Sequence, residues 1–368
     1  MFQRANRGTH EPRGWAIFWG LLALVAIVAA SVCLGIVAPT AGASSPMLAW
    51  TSRGAITPND RNQAHTVTSP LTGVACTTSG HCRAVGNYRA HSHGGVVQRA
   101  LVEPLDVGFT QGRHASTPPL PPGAKFRRSS NLATISCAGK SFCVALSSGG
   151  GLIETLRDGS WKPTAGLPMP RGESPSKAGA AINSVSCASS GFCVAVGRYT
   201  NHRGRRAPLI ETLKSASWHA AAGPTPADGR SPKSQTASLS GVSCPATNFC
   251  VAVGRYTDKK GKSRGLIETF KKGKWVPAGT SRSIGRLTAV SCPVRYVCTA
   301  VGEDSSGSRP IVDRLAVTLW VTGALPADPH STSGSSTLSA ISCSTTWSCI
   351  AGGEYRKRSN HQRRGFVR

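Results

Sequence analysis

The sequence predicts an all-β fold made of six copies of a four-stranded antiparallel unit. Three observations predict it. Six cysteine pairs recur at steps of 48 to 61 residues. Each interval holds four short runs of strand character. The last copy stops before its fourth run, and an unpartnered run of that kind precedes the first copy.

The pairs are Cys76/Cys82, Cys137/Cys143, Cys187/Cys193, Cys244/Cys250, Cys292/Cys298 and Cys343/Cys349, each with five residues between. Only Cys33 stands outside the pattern. They mark an internal repeat. The third copy reads INSVSCASSGFCVAVGRYT and then PLIETLKSASW; the fourth reads LSGVSCPATNFCVAVGRYT and then GLIETFKKGKW. In the fourth copy, runs rich in Val, Ile, Leu and Thr lie around Leu239 to Cys244, Phe249 to Tyr256, Gly265 to Phe270 and Lys274 to Ala278. Gly, Pro, Ser and charged residues separate them, the pattern of strands and turns. Four strands in a unit of about 50 residues is the pattern of a propeller blade. The prediction is therefore a six-bladed β-propeller of four-stranded blades, with strands a to d in each.

The cysteines bracket the a–b turn, where side chains six residues apart can meet across a hairpin. One local disulfide per blade is expected, a staple at the turn that stabilises by roughly 2 kcal/mol for so small a ring in the loop-entropy account. Each pair lacks the second pair of ligands that a zinc site needs. Paired cysteines at this density imply an oxidising compartment.

The sixth copy runs out at Gly365, Phe366, Val367 and Arg368, within strand c. The run from Met47 to Pro58 resembles strand d elsewhere, a tryptophan followed by a proline. It is expected to complete the last blade and close the ring, which removes the exposed sheet edges. The strand-d tryptophans Trp50, Trp161, Trp218, Trp275 and Trp320, with Phe109 in the first copy, are expected to pack between blades. Tyr88, Tyr199, Tyr256 and Tyr355 in strand b, and Glu154, Glu211, Glu268 and Asp313 in strand c, recur in the same way. Recurrence around a ring points to structure rather than chemistry.

Residues 1–14 read as a basic cytoplasmic segment, and 15–38 as one uncharged apolar helix, long enough to span a bilayer. Ala41-Gly42-Ala43 resembles a signal-peptidase site, so this helix is either a removed signal peptide or a retained anchor. Residues 39–46 form a linker reaching at most about 28 Å, and 47–368 the propeller. Both alternatives place the repeats outside the cytoplasm.

The chain has 43 Lys plus Arg against 16 Asp plus Glu, a net charge of +27. Such a balance favours anionic partners or surroundings. The b–c loops hold Arg203, Arg205 and Arg206, then Lys259, Lys260, Lys262 and Arg264, then Arg356, Lys357, Arg358, Arg363 and Arg364. These are the candidate anion-binding residues. The d–a connections add further cations, including Arg230 and Arg282. Strand direction alternates, so b–c and d–a loops share one face. The less basic a–b and c–d turns, and the cysteine staples with them, share the other. Solubility alone is the competing explanation of the charge. Candidate partners are anionic cell-wall polymers, anionic glycans or another envelope protein. Nucleic acid is disfavoured, because no aromatics are interleaved with the basic loops. The chain is expected to be a monomer.

No residue set specifies a reaction, and no cofactor is expected. There is no G-x-S-x-G elbow, Walker loop or H-E-x-x-H. His91 and His93 form H-x-H, which with a third ligand could hold a metal, though histidines in a glycine-rich loop are more often simply solvated. A non-enzymatic binding propeller is thus the first reading. The alternative is a carbohydrate-active hydrolase or lyase with paired carboxylates in the central channel.

The repeats, as in SCPATNFCVAVG, resemble secreted actinobacterial propeller repeats of the SC-x(5)-C-x-AVG type, over about 320 residues from Met47 onward. That resemblance implies the fold and no particular activity. Kelch repeats share the unit length and the late tryptophan. Their double glycine appears here only once at that place, as Gly352-Gly353.

Overall fold

Alternating burial along short runs sets the strands of this chain. A computed structural model describes residues 70–77, 81–92, 95–105, 115–122, 131–173, 179–230, 236–278, 282–316, 319–324, 331–357 and 363–367. The chain divides into two units, Met1–Gly54 and Ala55–Arg368, and every described residue lies in the second.

The first sheet contains β1 (Leu71–Cys76), β2 (Cys82–Ser92) and β3 (Gly95–Leu105). The second contains β4 (Thr134–Gly139), β5 (Phe142–Leu146), β6 (Leu152–Arg157) and β7 (Ser160–Ala165). The third contains β8 (Ala180–Ser189), β9 (Phe192–Thr200), β10 (Arg206–Lys214) and β11 (Ser217–Ala222). The fourth contains β12 (Ala237–Ala246), β13 (Phe249–Thr257), β14 (Ser263–Lys271) and β15 (Lys274–Ala278). The fifth contains β16 (Ile284–Val294), β17 (Val297–Asp304), β18 (Pro310–Ala316) and β19 (Leu319–Ala324). The sixth contains β20 (Ser331–Cys343), β21 (Cys349–Lys357) and β22 (Arg363–Val367). Every sheet is an antiparallel meander in which chain neighbours pair in space. The expected strands around Phe109 and from Met47 to Pro58, and the apolar helix at 15–38, lie outside the described residues.

The core lies between sheets. Consecutive sheets pack in chain order through their first strands: β1 on β4, β4 on β8, β8 on β12, β12 on β16 and β16 on β20. No equivalent packing joins β20 to β1 among the described residues. In each interface one face of a sheet meets the opposite face of the next. Val251, Val253 and Ile267 of the fourth sheet, for example, meet Cys298, Ala300, Ile311 and Leu315 of the fifth. The strand-d tryptophans Trp161, Trp218, Trp275 and Trp320 are partly buried against these interfaces. Tyr88, Tyr199 and Tyr256 are buried. The hydroxyl of Tyr88 bonds Thr117 at 2.6 Å, and that of Tyr256 donates to Asp228 at 2.8 Å, so both tie down d–a connections.

The Ser-Cys dipeptide of the repeat latches neighbouring sheets. Ser136, Ser186, Ser243 and Ser291 each accept, through Oγ, the backbone N–H of the next sheet's cysteine at 2.9 to 3.0 Å: Cys187, Cys244, Cys292 and Cys343 respectively. The AVG glycine has a separate cause. Strand a bulges beside it, as between Leu239 and Gly241. The bulge brings a carbonyl so close that a Cβ on Gly254 would lie 2.0 Å from the oxygen of Ser238.

All six cysteine pairs are disulfides, with Cα atoms 3.9 to 4.1 Å apart across the a–b hairpins. They bracket the a–b turns as expected, and the structure adds their burial. Cys143, Cys193, Cys250 and Cys298, the second members of the inner four pairs, are 0 to 1% exposed. Each lies in a hydrophobic core between sheets. The cause is their place in strand b, which has a strand on either side and a sheet against each face. Strand b of the second sheet, Phe142–Leu146, is buried at every residue. Cys82 and Cys349 hold the same place in the two end sheets and are only partly buried. In the inner sheets the sulfur therefore packs like a small apolar side chain as well as closing the hairpin.

Candidate functional site

The b–c loops begin with a short polar side chain that folds the turn. In the third sheet, Asn201 Oδ1 accepts the N–H groups of Arg203 and Arg205, both at 3.0 Å. In the fourth, Asp258 Oδ1 accepts those of Lys260 at 2.9 Å and Lys262 at 2.8 Å. In the fifth, Asp304 Oδ1 accepts those of Ser306, Ser308 and Arg309. Asn and Asp suit this place because their side chains satisfy backbone donors a few residues on. The Lys262 N–H bond is the main influence holding the Asp258 carboxyl below its ordinary range; burial opposes it and Arg264 assists. Burial also acts against Asp304, but the bonds from Ser306, Ser308 and Arg309 outweigh it and lower its pKa.

This use of the acids decides where the charge points. Asp258 is 6% exposed and turned into its own loop, while Arg203, Arg205, Arg206, Lys259, Lys260 and Lys262 are exposed. Arg264 differs from the other candidates. Its Nε donates to Asp258 Oδ2 at 2.8 Å and its Nη1 donates to the Arg282 carbonyl, so it braces the loop. In the sixth sheet the register sets Arg356 opposite Arg363 and Tyr355 opposite Arg364, with Lys357 ending β21. Arg358 lies outside the described residues.

The b–c and d–a segments do share a side. His202 N–H donates to Glu173 Oε2 at 2.7 Å, Lys259 N–H to the Asp228 carbonyl at 2.9 Å, and Ser305 N–H to the Ser283 carbonyl at 2.7 Å. Arg230 reaches the same loop as Lys259 and Lys262: a Cβ on Gly261 would lie 3.1 Å from its Nη2.

A second set of charged groups is hidden. Glu154, Glu211, Glu268 and Asp313 are all 0% exposed. Each stands between two apolar residues on the strand-c face that packs on the preceding sheet: Leu152 and Leu156, Leu209 and Leu213, Leu266 and Phe270, Ile311 and Leu315. Both oxygens of each glutamate lack a hydrogen-bond partner among the described residues. Burial pushes the carboxyls of Glu154 and Glu211 up to about 8 and raises that of Glu268 well above its ordinary range. Burial also raises Asp313, against a bond donated by Thr322 Oγ1 at 3.1 Å. Displaced carboxyls often mark catalytic sites, but each of these is sealed in its own interface. A Cβ on Gly223 would lie 2.7 and 2.9 Å from the Glu268 oxygens. Glycosidase chemistry needs two carboxyls flanking a reachable bond, and these four do not provide it.

His91 is exposed at the end of β2, and His93 lies outside the described residues. Among the described residues, no three His, Cys, Asp or Glu side chains gather as a metal would require. No helix among them is long and apolar enough to cross a membrane. Sequence reasoning found the cations but missed Asn201, Asp258 and Asp304 as the residues that shape the loops. Their signal was available: an Asn or Asp shortly before a glycine or serine at the head of each loop.

No family model matches the chain, and no curated protein does. Solved structures with similar backbones include "Structure of U3-55K", at 10% identity and TM-score 0.46, covering 83% of this chain and 98% of that one. "YCF48 from Cyanidioschyzon merolae" is similar at 14% identity and TM-score 0.44, covering 80% and 95%. "Hadza microbial sialidase Hz136" is similar at 12% identity and TM-score 0.45, covering 81% of this chain and 65% of that one.

Proposed function

We propose that this chain is a non-enzymatic, extracytoplasmic binding propeller that engages anionic envelope polymers or glycans through its b–c and d–a loop face. One observation carries the reading. The b–c loop acids Asp258 and Asp304 are turned inward onto backbone N–H groups, while six cations of the third and fourth sheets are exposed. A solubility surface needs charge but not this separation. Six disulfides support an oxidising compartment.

The proposal includes a closed ring of six blades, with the run from Met47 to Pro58 as the last blade's outer strand. Its support is apolar surface at the two ends of the series. Val74 of the first sheet is 62% exposed, whereas Ile135, Val185, Val242 and Val290 at the same position are 6 to 8% exposed. Ile350 and Val367 of the sixth sheet are 61% and 73% exposed, whereas Val251 and Ile267 are fully buried. Those faces are complementary halves of one more interface.

The test is retention on isolated cell wall at low and high salt. Changing Arg203, Arg205, Arg206, Lys259, Lys260 and Lys262 to Glu is expected to abolish retention at low salt. Retention by the native chain is expected to weaken as salt screens the charges. Equal retention of the two proteins would remove the basic face from consideration.

A further inference from the structure

The a–b turns break the sixfold pattern at one position. Four residues after the first cysteine of each pair, the first four copies carry Gly80, Ser141, Gly191 and Asn248, which are turn formers. The fifth and sixth carry Tyr296 and Trp347. At the next position the second, third and fourth copies hold Phe142, Phe192 and Phe249, and the last two hold Val297 and Ser348. The aromatic has therefore moved one residue, from an inward position onto the turn itself.

Folding gains little from the move. Phe142 and Phe249 are 4% and 2% exposed, but Tyr296 is 48% and Trp347 is 84% exposed. Tyr296 also holds φ at +64°, a left-handed conformation that suits glycine and is strained for a bulky side chain. Lost burial at both equivalent positions, with backbone strain added at Tyr296, points to function.

The surroundings define what would bind. Tyr296 leans on Phe249 of the fourth sheet, with ring centroids 4.8 Å apart. Trp347 is held by Arg314 of the fifth sheet, whose guanidinium lies 4.4 Å from the indole centroid and whose Nη2 donates to the Thr346 carbonyl. That contact fixes one face of the indole as a cation–π pair and leaves the ring 84% exposed. Arg295, next to Tyr296, is also exposed, and none of the six a–b turns contains an acid. Three backbone donors of the Trp347 turn are taken internally. Ser344 N–H bonds the Ser348 carbonyl at 3.0 Å, and the N–H groups of Trp347 and Ser348 bond Thr345 Oγ1 at 3.3 and 3.1 Å.

We propose that Tyr296 and Trp347 form a glycan-binding subsite on the a–b turn face, opposite the basic loops, that takes an acidic sugar. The apolar CH face of a pyranose stacks on the indole, and Arg295 and Arg314 receive the carboxylate, sulfate or phosphate the sugar carries. The site is independent of the loop face, and it stands or falls separately.

The test uses the whole chain, with soluble oligogalacturonate as the acidic probe and maltooligosaccharide of equal length as the neutral one. Binding is read by quenching of tryptophan fluorescence and by calorimetry. The native chain should prefer the acidic probe, and Trp347→Ala should weaken it about tenfold, as expected for one lost stacking contact. Tyr296→Gly should also weaken it while keeping the native melting temperature, since glycine fits the backbone there. In the loop-face variant with six Glu substitutions, which removes the site proposed above, the probe should still bind and Trp347→Ala should weaken it by the same factor. Unchanged affinity in Trp347→Ala, or equal affinity for the neutral probe, overturns the proposal. So does tighter binding, lost in Trp347→Ala, to single-stranded DNA or to anionic phospholipid vesicles, either of which would assign the platform to that ligand instead.

Discussion

Val242 and Val74 occupy the same position in the fourth and first sheets, yet one is 6% exposed and the other 62%. Ile267 and Val367 differ in the same way on the opposite face, at 0% and 73%. The local sequence is equally apolar in both places. The difference lies in whether another sheet stands in front. In this architecture a sheet face is completed by its neighbour, so the repeat alone cannot bury the surface it prescribes. Inside the series, three of the interfaces also carry a glutamate with no hydrogen-bond partner among the described residues. They are stable enough to hold groups that would be costly anywhere else.

The largest expected effect comes from those carboxyls. Their folded pKa values lie above the unfolded ones, so the protons are held more tightly in the folded chain. The stability they allow is fully present below about 4.5 and is lost as pH rises to about 8 for Glu154 and Glu211. The loss is on the order of 4 kcal/mol for each fully buried group over that window. Melting temperature is expected to fall steadily from pH 5 to pH 8, and Glu211→Gln with Glu268→Gln should flatten the curve and raise it at pH 8. A flat profile in the native chain would mean that the carboxyls acquire partners inside the interface.

A second effect compares the middle with the ends directly. Val242→Asp buries an unpaired charge and should cost about 3 kcal/mol or more in denaturant unfolding. Val74→Asp should cost as much if the first sheet meets the sixth. In an open series it would be a surface change within about 0.5 kcal/mol. The ratio of the two costs therefore reports closure without reference to the residues before Pro70.

The repeated elements were legible in the sequence because period-two alternation, the Ser-Cys pair and the AVG glycine recur in nearly every copy. The disulfides followed from hairpin geometry, and Trp161, Trp218, Trp275 and Trp320 from recurrence. The burial of Cys143, Cys193 and Cys250 did not follow, because it is the facing sheet that covers those sulfurs and not the hairpin. The cations were legible as composition, but their availability was not. Arg264 and Lys262 are two residues apart in one loop, and only the position of Asp258 makes one a brace and the other an exposed charge. The platform at Tyr296 and Trp347 was hidden for a different reason. Its signal is a one-residue shift of an aromatic relative to the cysteine, visible only when the copies are set in register. The buried acids could be read as structural, but their missing partners depend on the facing sheet and could not be read at all.

The smallest expected effect concerns the serine latches. Ser243→Ala removes the acceptor of the Cys292 N–H, bonded at 3.0 Å, and leaves that donor without its partner. The cost should be about 1 to 2 kcal/mol. Ser342 holds the same place in the sixth sheet and is exposed, whereas Ser243 and Ser291 are partly buried. If the sixth sheet closes on the first, the group facing Ser342 is the N–H of Cys76, and Ser342→Ala should match Ser243→Ala. Thermal unfolding of the two single variants and the double variant separates the cases. Similar costs that add would place a latch at the seam. A cost only at Ser243 would mean that no serine latch joins the sixth sheet to the first, as Ala75 in place of the latch serine already implies for the first sheet's side of its interface with the second.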